Sequence, residues 1–190
     1  DVEITNTVFN KEMTIDFGAN GVEATFDGCT VEDGSSLLDV IYLPDIAEMG
    51  VKVEVNGEQV VVEAMIGDTA YLTLQEAFAA AQAGDTLVIT AGNYTTNINV
   101  NKDITVVGQT DAQGNNLVNI TGKLNVTADG ATVKNLTVNN GSDTAGYISA
   151  KDVLIEGCEV VGGNGFRWCY TSGTVTFKDS TIKGNVYGIH

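Results

Sequence analysis

The segments Ala131-Thr-Val-Lys-Asn-Leu-Thr-Val138, Val153-Leu-Ile-Glu-Gly-Cys-Glu-Val160 and Val175-Thr-Phe-Lys-Asp-Ser-Thr-Ile182 align without a gap, each starting 22 residues after the last. The same pattern opens the chain as Val2-Glu-Ile-Thr-Asn-Thr-Val-Phe9 and Ala24-Thr-Phe-Asp-Gly-Cys-Thr-Val31, again 22 residues apart. A fixed period of this size marks a solenoid, in which each repeat buries its apolar face only against its neighbours.

Reading down the five copies, one column is Val133, Ile155, Phe177, Ile4 and Phe26, and a second is Val138, Val160, Ile182, Phe9 and Val31. Both are apolar in every copy. Between them lies Asn135, Gly157, Asp179, Asn6 and Gly28, all residue types that tolerate a left-handed backbone. Each coil is therefore two short strands joined at a bend. The residue after the bend is Leu136, Cys158, Ser180, Thr7 or Cys29 and is expected to point inward. Alternation on either side of the bend gives one core face and one solvent face. Stacking such coils at about 4.8 Å pairs backbone with backbone.

Upstream, Leu74, Ala77, Phe78 and Ala81 recur at helical spacing within Leu72–Ala83, and Gly84 follows as a stop. The helix, then Gly84-Asp-Thr-Leu-Val-Ile-Thr-Ala-Gly-Asn-Tyr94, then Asp103-Ile-Thr-Val-Val-Gly108, resembles the opening of pectate-lyase-like right-handed parallel β-helix proteins. The resemblance covers roughly residues 70 to 190 and, through the repeat, 1 to 41. It implies an all-β fold of 22-residue coils, a short capping α-helix over the first coil, and an extracellular or cell-surface location. Activity does not follow from it, because one fold carries many functions. A pectin-cleaving member needs clustered carboxylates, with Ca²⁺ and a basic residue for a lyase or paired Asp for a hydrolase. This chain has no Asp-Asp pair, no Gly-His-Gly and one Arg. The resemblance is to the non-enzymatic surface or repeat-protein type, and no catalytic, cofactor or metal residue is assigned.

Twenty-five acidic residues against nine basic ones give a formal charge of −16, which disfavours nucleic acid and anionic membranes as partners. No apolar run reaches the ~18 residues of a membrane span. The start at Asp1, with neither Met nor leader, reads as a trimmed or excised segment. Three cysteines, Cys29, Cys158 and Cys169, lack metal-type spacing. Cys29 and Cys158 fall in the inward column after the bend and are expected to pack as small hydrophobes. Glu32-Asp33, Asp39 and Asp45 lack the calcium-loop pattern and read as solvated acidic surface.

The order of elements conflicts with a simple stack, because two good coils precede the capping helix. Residues 1–50 read as β-helix-completing coils followed by a closing strand, Leu37–Ile41, and a plug at 45–50. Residues 51–64 carry a hairpin signal, Asn56-Gly57 between alternating apolar residues. Residues 65–190 read as the capping helix and the first part of a β-helix. Three accounts stay open: another copy completes the stack, the chain completes its own, or the segment is a fragment of a tandem-repeat protein. The leading expectation is a non-enzymatic extracellular building block or adhesin forming a homo-oligomer or filament through its coil ends. Val2, Ile4, Val8 and Phe9 would form one end, and Val186, Tyr187, Ile189 and His190 the other. The alternative is a polysaccharide lyase or hydrolase, or a carbohydrate-binding β-helix acting on acidic glycans, with Arg167 and Tyr170 as glycan contacts. Against that contact stands a reading in which Trp168 joins Phe17 and His190 in the core and Arg167 points to water.

Overall fold

The computed structural model describes residues 1–168 and 173–184 and divides into two compact units, Asp1–Thr73 and Leu74–His190. Each unit is a parallel β-helix stack of the kind the repeat predicts.

In the first unit, strands β1 (Val2–Thr5) and β2 (Val8–Phe9) form one coil, and β3 (Glu23–Asp27) and β4 (Thr30–Val31) the next. They pair in parallel with Val2 on Ala24, Ile4 on Phe26 and Phe9 on Val31, the 22-residue register of the sequence. A 3-10 turn (Leu37–Asp39) and helix α1 (Pro44–Glu48) follow. Strand β5 (Lys52–Val55) then adds in parallel to β3, and β6 (Glu58–Val60) turns back antiparallel through Asn56-Gly57. The expected hairpin is thus a third rung and an antiparallel end strand of the same sheet. A second hairpin, β7 (Ala64–Ile66) and β8 (Thr69–Tyr71), turns at Gly67-Asp68. That dipeptide is itself a hairpin signal.

Two expectations for this unit are corrected. Leu37–Ile41 is not a closing strand: Ser36 caps a 3-10 turn reciprocally with Asp39, and Ile41 makes only an isolated bridge to Ile15. Asp45 is not solvated but buried, with its Oδ2 accepting a hydrogen bond from the Phe17 N–H at 3.0 Å. A Ser with an acidic residue three positions on is a capping-box signal, so the turn was legible in the sequence.

In the second unit, helix α2 (Leu74–Ala80) is followed by coils of three strands each. The first is β9 (Thr86–Ile89), β10 (Gly92–Tyr94) and β11 (Ile98–Val100), and the second β12 (Thr105–Gly108), β13 (Val118–Thr121) and β14 (Leu124–Val126). The third is β15 (Thr132–Lys134), β16 (Thr137–Asn139) and β17 (Gly146–Ile148), and the fourth β18 (Val153–Glu156), β19 (Glu159–Gly162) and β20 (Phe166–Trp168). Strands β21 (Val175–Lys178) and β22 (Thr181–Gly184) begin a fifth. Equivalent strands pair in parallel and build three ladders. The inward column of the first ladder runs Leu87, Val106, Val133, Ile155, Phe177. Its first four members are fully buried.

Lys102 anchors α2: its ammonium donates to the carbonyls of Phe78, Ala79 and Ala81 at 2.9, 2.8 and 2.7 Å. Those carbonyls at the helix end lack partners within the helix, and a cation there is favoured. The bend column takes the expected left-handed backbone at Asn6, Gly28, Asn135, Gly157 and Asp179. At Gly157 a side chain is also excluded sterically, since a Cβ would lie 2.5 Å from Asn135 Oδ1 of the coil before. Cys29 and Cys158 are buried as expected, and burial pushes the Cys158 thiol up to about 11, so it stays protonated and inert.

Candidate functional site

Burial of the inward columns falls at one end of each stack. In the first unit Ala24, Phe26, Cys29 and Val31 are buried, yet one coil earlier Val2 is 46% exposed and Ile4 and Thr7 are only partly covered. Phe9 is buried, with its ring edge-on to Phe26 at 6.1 Å. Val8 on the same end coil is 66% exposed, in register with Thr30. Among the described residues β1 has a strand partner, β3, on one side only.

The second unit shows the same gradient in the opposite direction along the chain. Val153, Ile155, Cys158 and Val160 are buried, whereas Val175, Phe177, Ser180 and Ile182 in the next coil are partly exposed. Strand β21 has β18 on one side and, among the described residues, no strand on the other. The expected end residues Val186, Tyr187, Ile189 and His190 lie outside the described residues.

Charges on the outer face are matched from coil to coil. Glu156 is bridged by Lys134 at 2.8 Å and by Lys178, its register partners on the coils to either side. These two ammonium groups hold the Glu156 carboxyl at about 2, well below the usual range. Its folded value lies below the unfolded 4.5, so it contributes stability above pH 4.5 that is lost as pH falls toward 2. Replacing it by Gln is expected to flatten the dependence of melting temperature on pH between 4.5 and 2, leaving the melting temperature at pH 7 lowered only slightly because the pairs are exposed. Parallel acid titrations of the wild type and variant, followed by circular dichroism, check this; identical slopes would refute it.

The third ladder carries a polar row on its outer side, Asn99, Asn125, Tyr147 and Arg167, aligned by the pairing of β11, β14, β17 and β20. Asn125 Nδ2 donates to Asn99 Oδ1 at 2.8 Å. Asn125 is buried and its Oδ1 has no hydrogen-bond partner. An amide ladder would continue to the next coil, but Tyr147, which is exposed, stands there in place of an amide. Arg167 is exposed as well. Each of the eight lysines is engaged by a carboxylate or, for Lys102, by carbonyls; among the described residues Arg167 has no such partner. Asn99 also lines an open groove of about 480 Å³ beside Leu74, Phe78 and Lys102. Tyr170, expected to act with Arg167, lies outside the described residues, as does the Trp168 side chain.

The sequence reading missed Tyr147 and Asn125 because this ladder does not keep the 22-residue period. Its register steps are 26 residues from Asn99 to Asn125, 22 to Tyr147 and 20 to Arg167. Among the described residues no group of three or more His, Cys, Asp or Glu is placed to hold a metal ion. Among the described residues no helix is long and apolar enough to cross a membrane. No family model matches the chain, and comparisons with curated proteins and with solved structures return no match.

Proposed function

We propose that this protein is a non-enzymatic structural subunit of the extracellular space or cell surface. Its copies join end to end, the coil at β1 and β2 of one copy seating on the coil at β21 and β22 of another. The observation that supports this is the pair of open stack ends. Among the described residues each has an edge strand without a partner on one side and a half-covered apolar column, and an unpaired edge is a template for another strand. The repeat alignment sets the register of such a joint: β21 followed by β1 would continue a parallel ladder with Val175 on Val2, Phe177 on Ile4 and Ile182 on Phe9. The resemblance to the pectate-lyase-like superfamily belongs to this reading as a relationship of architecture. Size exclusion with light scattering, joined to negative-stain microscopy, tests it. Concentration-dependent linear oligomers are expected, and a monomer at all concentrations up to the millimolar range overturns it.

A second reading, carbohydrate binding, has one specific observation in its favour. The orphaned Asn125 oxygen calls for a donor such as a hydroxyl, beside an exposed Tyr147 ring and an exposed Arg167 that has no carboxylate partner among the described residues. Screening acidic and neutral oligosaccharides by titration calorimetry is expected to give a binder whose affinity falls about tenfold in Tyr147→Ala, about 1.4 kcal/mol of ring contact. Equal binding by wild type and variant would remove the row from consideration.

A further inference from the structure

The end strands differ in charge. On β1 and β2 the only charged residue is Glu3, which is exposed and makes no ion pair among the described residues. On β21 and β22 the only charged residues are Lys178 and Lys183. The end strands thus carry opposite charge, Lys178 and Lys183 on one end, each paired inward with Glu156 or Glu159 and with Asp179 at the bend between them, and Glu3 on the other.

The ion pairs inside the stacks show how such residues meet. Lys11 with Asp33, Lys151 with Asp129, and Glu156 with Lys134 and Lys178 all join residues 22 apart, one coil on the next. A diagonal pair also occurs. Lys183 reaches Glu159 at 3.1 Å although Glu159 is in register with Thr181, two residues before Lys183. Continuing the inward columns across a joint places Thr176 opposite Glu3 and Lys178 opposite Thr5. Glu3 then stands diagonal to Lys178, two residues off register as Glu159 is from Lys183 but with the carboxylate on the later coil, and within reach of a long side chain.

We infer that a Glu3–Lys178 ion pair between copies selects the polarity and register of the joint. It extends the outer charge ladder Lys134, Glu156, Lys178 by one more carboxylate. Two lysine-bearing ends brought together would oppose Lys178 and Lys183 with like charge, and a slip by one residue would turn the apolar columns to solvent. The pair contributes selectivity more than strength, since exposed ion pairs add little affinity. This inference rests on the end-to-end reading above.

The test measures the concentration at which full-length chains assemble, by sedimentation at low ionic strength. Glu3→Gln is expected to raise it about threefold, and Glu3→Lys about tenfold, because like charge then faces Lys178. Lys178→Glu is expected to raise it by a similar factor, and a chain carrying both Glu3→Lys and Lys178→Glu to return within about threefold of wild type. Lys178→Glu also faces Glu156 within its own chain, so Lys178→Gln serves as a second variant if thermal melting shows that the last coil has loosened. Wild type that assembles while Glu3→Lys assembles equally well, or a double variant no better than the singles, overturns the ion pair and leaves the end-to-end reading standing. Wild type that never assembles overturns both.

Discussion

Ile155→Asp is expected to unfold the stack of the second unit. Ile155 is fully buried, in register between Val133 on one coil and Phe177 on the next. An aspartate there is either an unpaired buried charge or a protonated acid without a hydrogen-bond partner, and the penalty is about 4 kcal/mol or more. For a chain of this size each kcal/mol moves the melting temperature by about 2–4 °C, so a fall of about 10 °C or complete loss of the transition follows. Ile155→Val, which removes one methyl group, is expected to cost only about 1 kcal/mol. Melting followed by far-ultraviolet circular dichroism separates the two, and an Asp variant that melts with the Val variant would show that the column is not a continuous core.

Ile4→Asp is expected to have the opposite profile, with little effect on melting and a large one on assembly. Ile4 is only partly covered within its own unit, so a carboxylate there keeps access to water. In the proposed joint it would be closed off against Phe177, and a charge buried there lowers affinity by several kcal/mol, about a hundredfold or more. Deleting residues 1–34 removes both early coils and is expected to abolish the assemblies altogether. The wild-type joint has a modest margin. Covering five half-exposed apolar side chains contributes roughly 1 kcal/mol each, with a row of backbone hydrogen bonds in addition, against an association cost of at least about 4 kcal/mol. Sedimentation and negative-stain microscopy read both changes. Assemblies that persist unchanged after the deletion would show that these coils are not the connector.

The two variants probe the same inward column, and the different outcomes come from position in the stack. Ile155 has a coil above and below it, whereas Ile4 has Phe26 on one side only. Burial at one residue type and one column position therefore depends on whether a neighbour is present.

The fold and the core were legible in the sequence wherever coils are of equal length. The 22-residue period alone placed Val133 on Ile155, Phe9 on Val31 and the left-handed bend at Asn6, Gly28, Asn135, Gly157 and Asp179, because stacked coils repeat both the strand alternation and the bend chemistry. The exposure of Glu32, Asp33 and Asp39, the Asn56-Gly57 turn and the inward cysteines were legible for similarly local reasons. What only the tertiary structure decided lies where loops vary or where a side chain's role depends on distant partners. Loops of unequal length shift the third ladder, so the alignment of Asn99, Asn125, Tyr147 and Arg167 has no fixed spacing in the chain. Asp45 reads as a surface carboxylate until the Phe17 N–H, 28 residues away, is brought to it by folding. The gradient of burial at the two stack ends is likewise a tertiary property, since Ile4, Phe26, Ile155 and Phe177 are equivalent in the repeat and differ only in how many neighbours cover them.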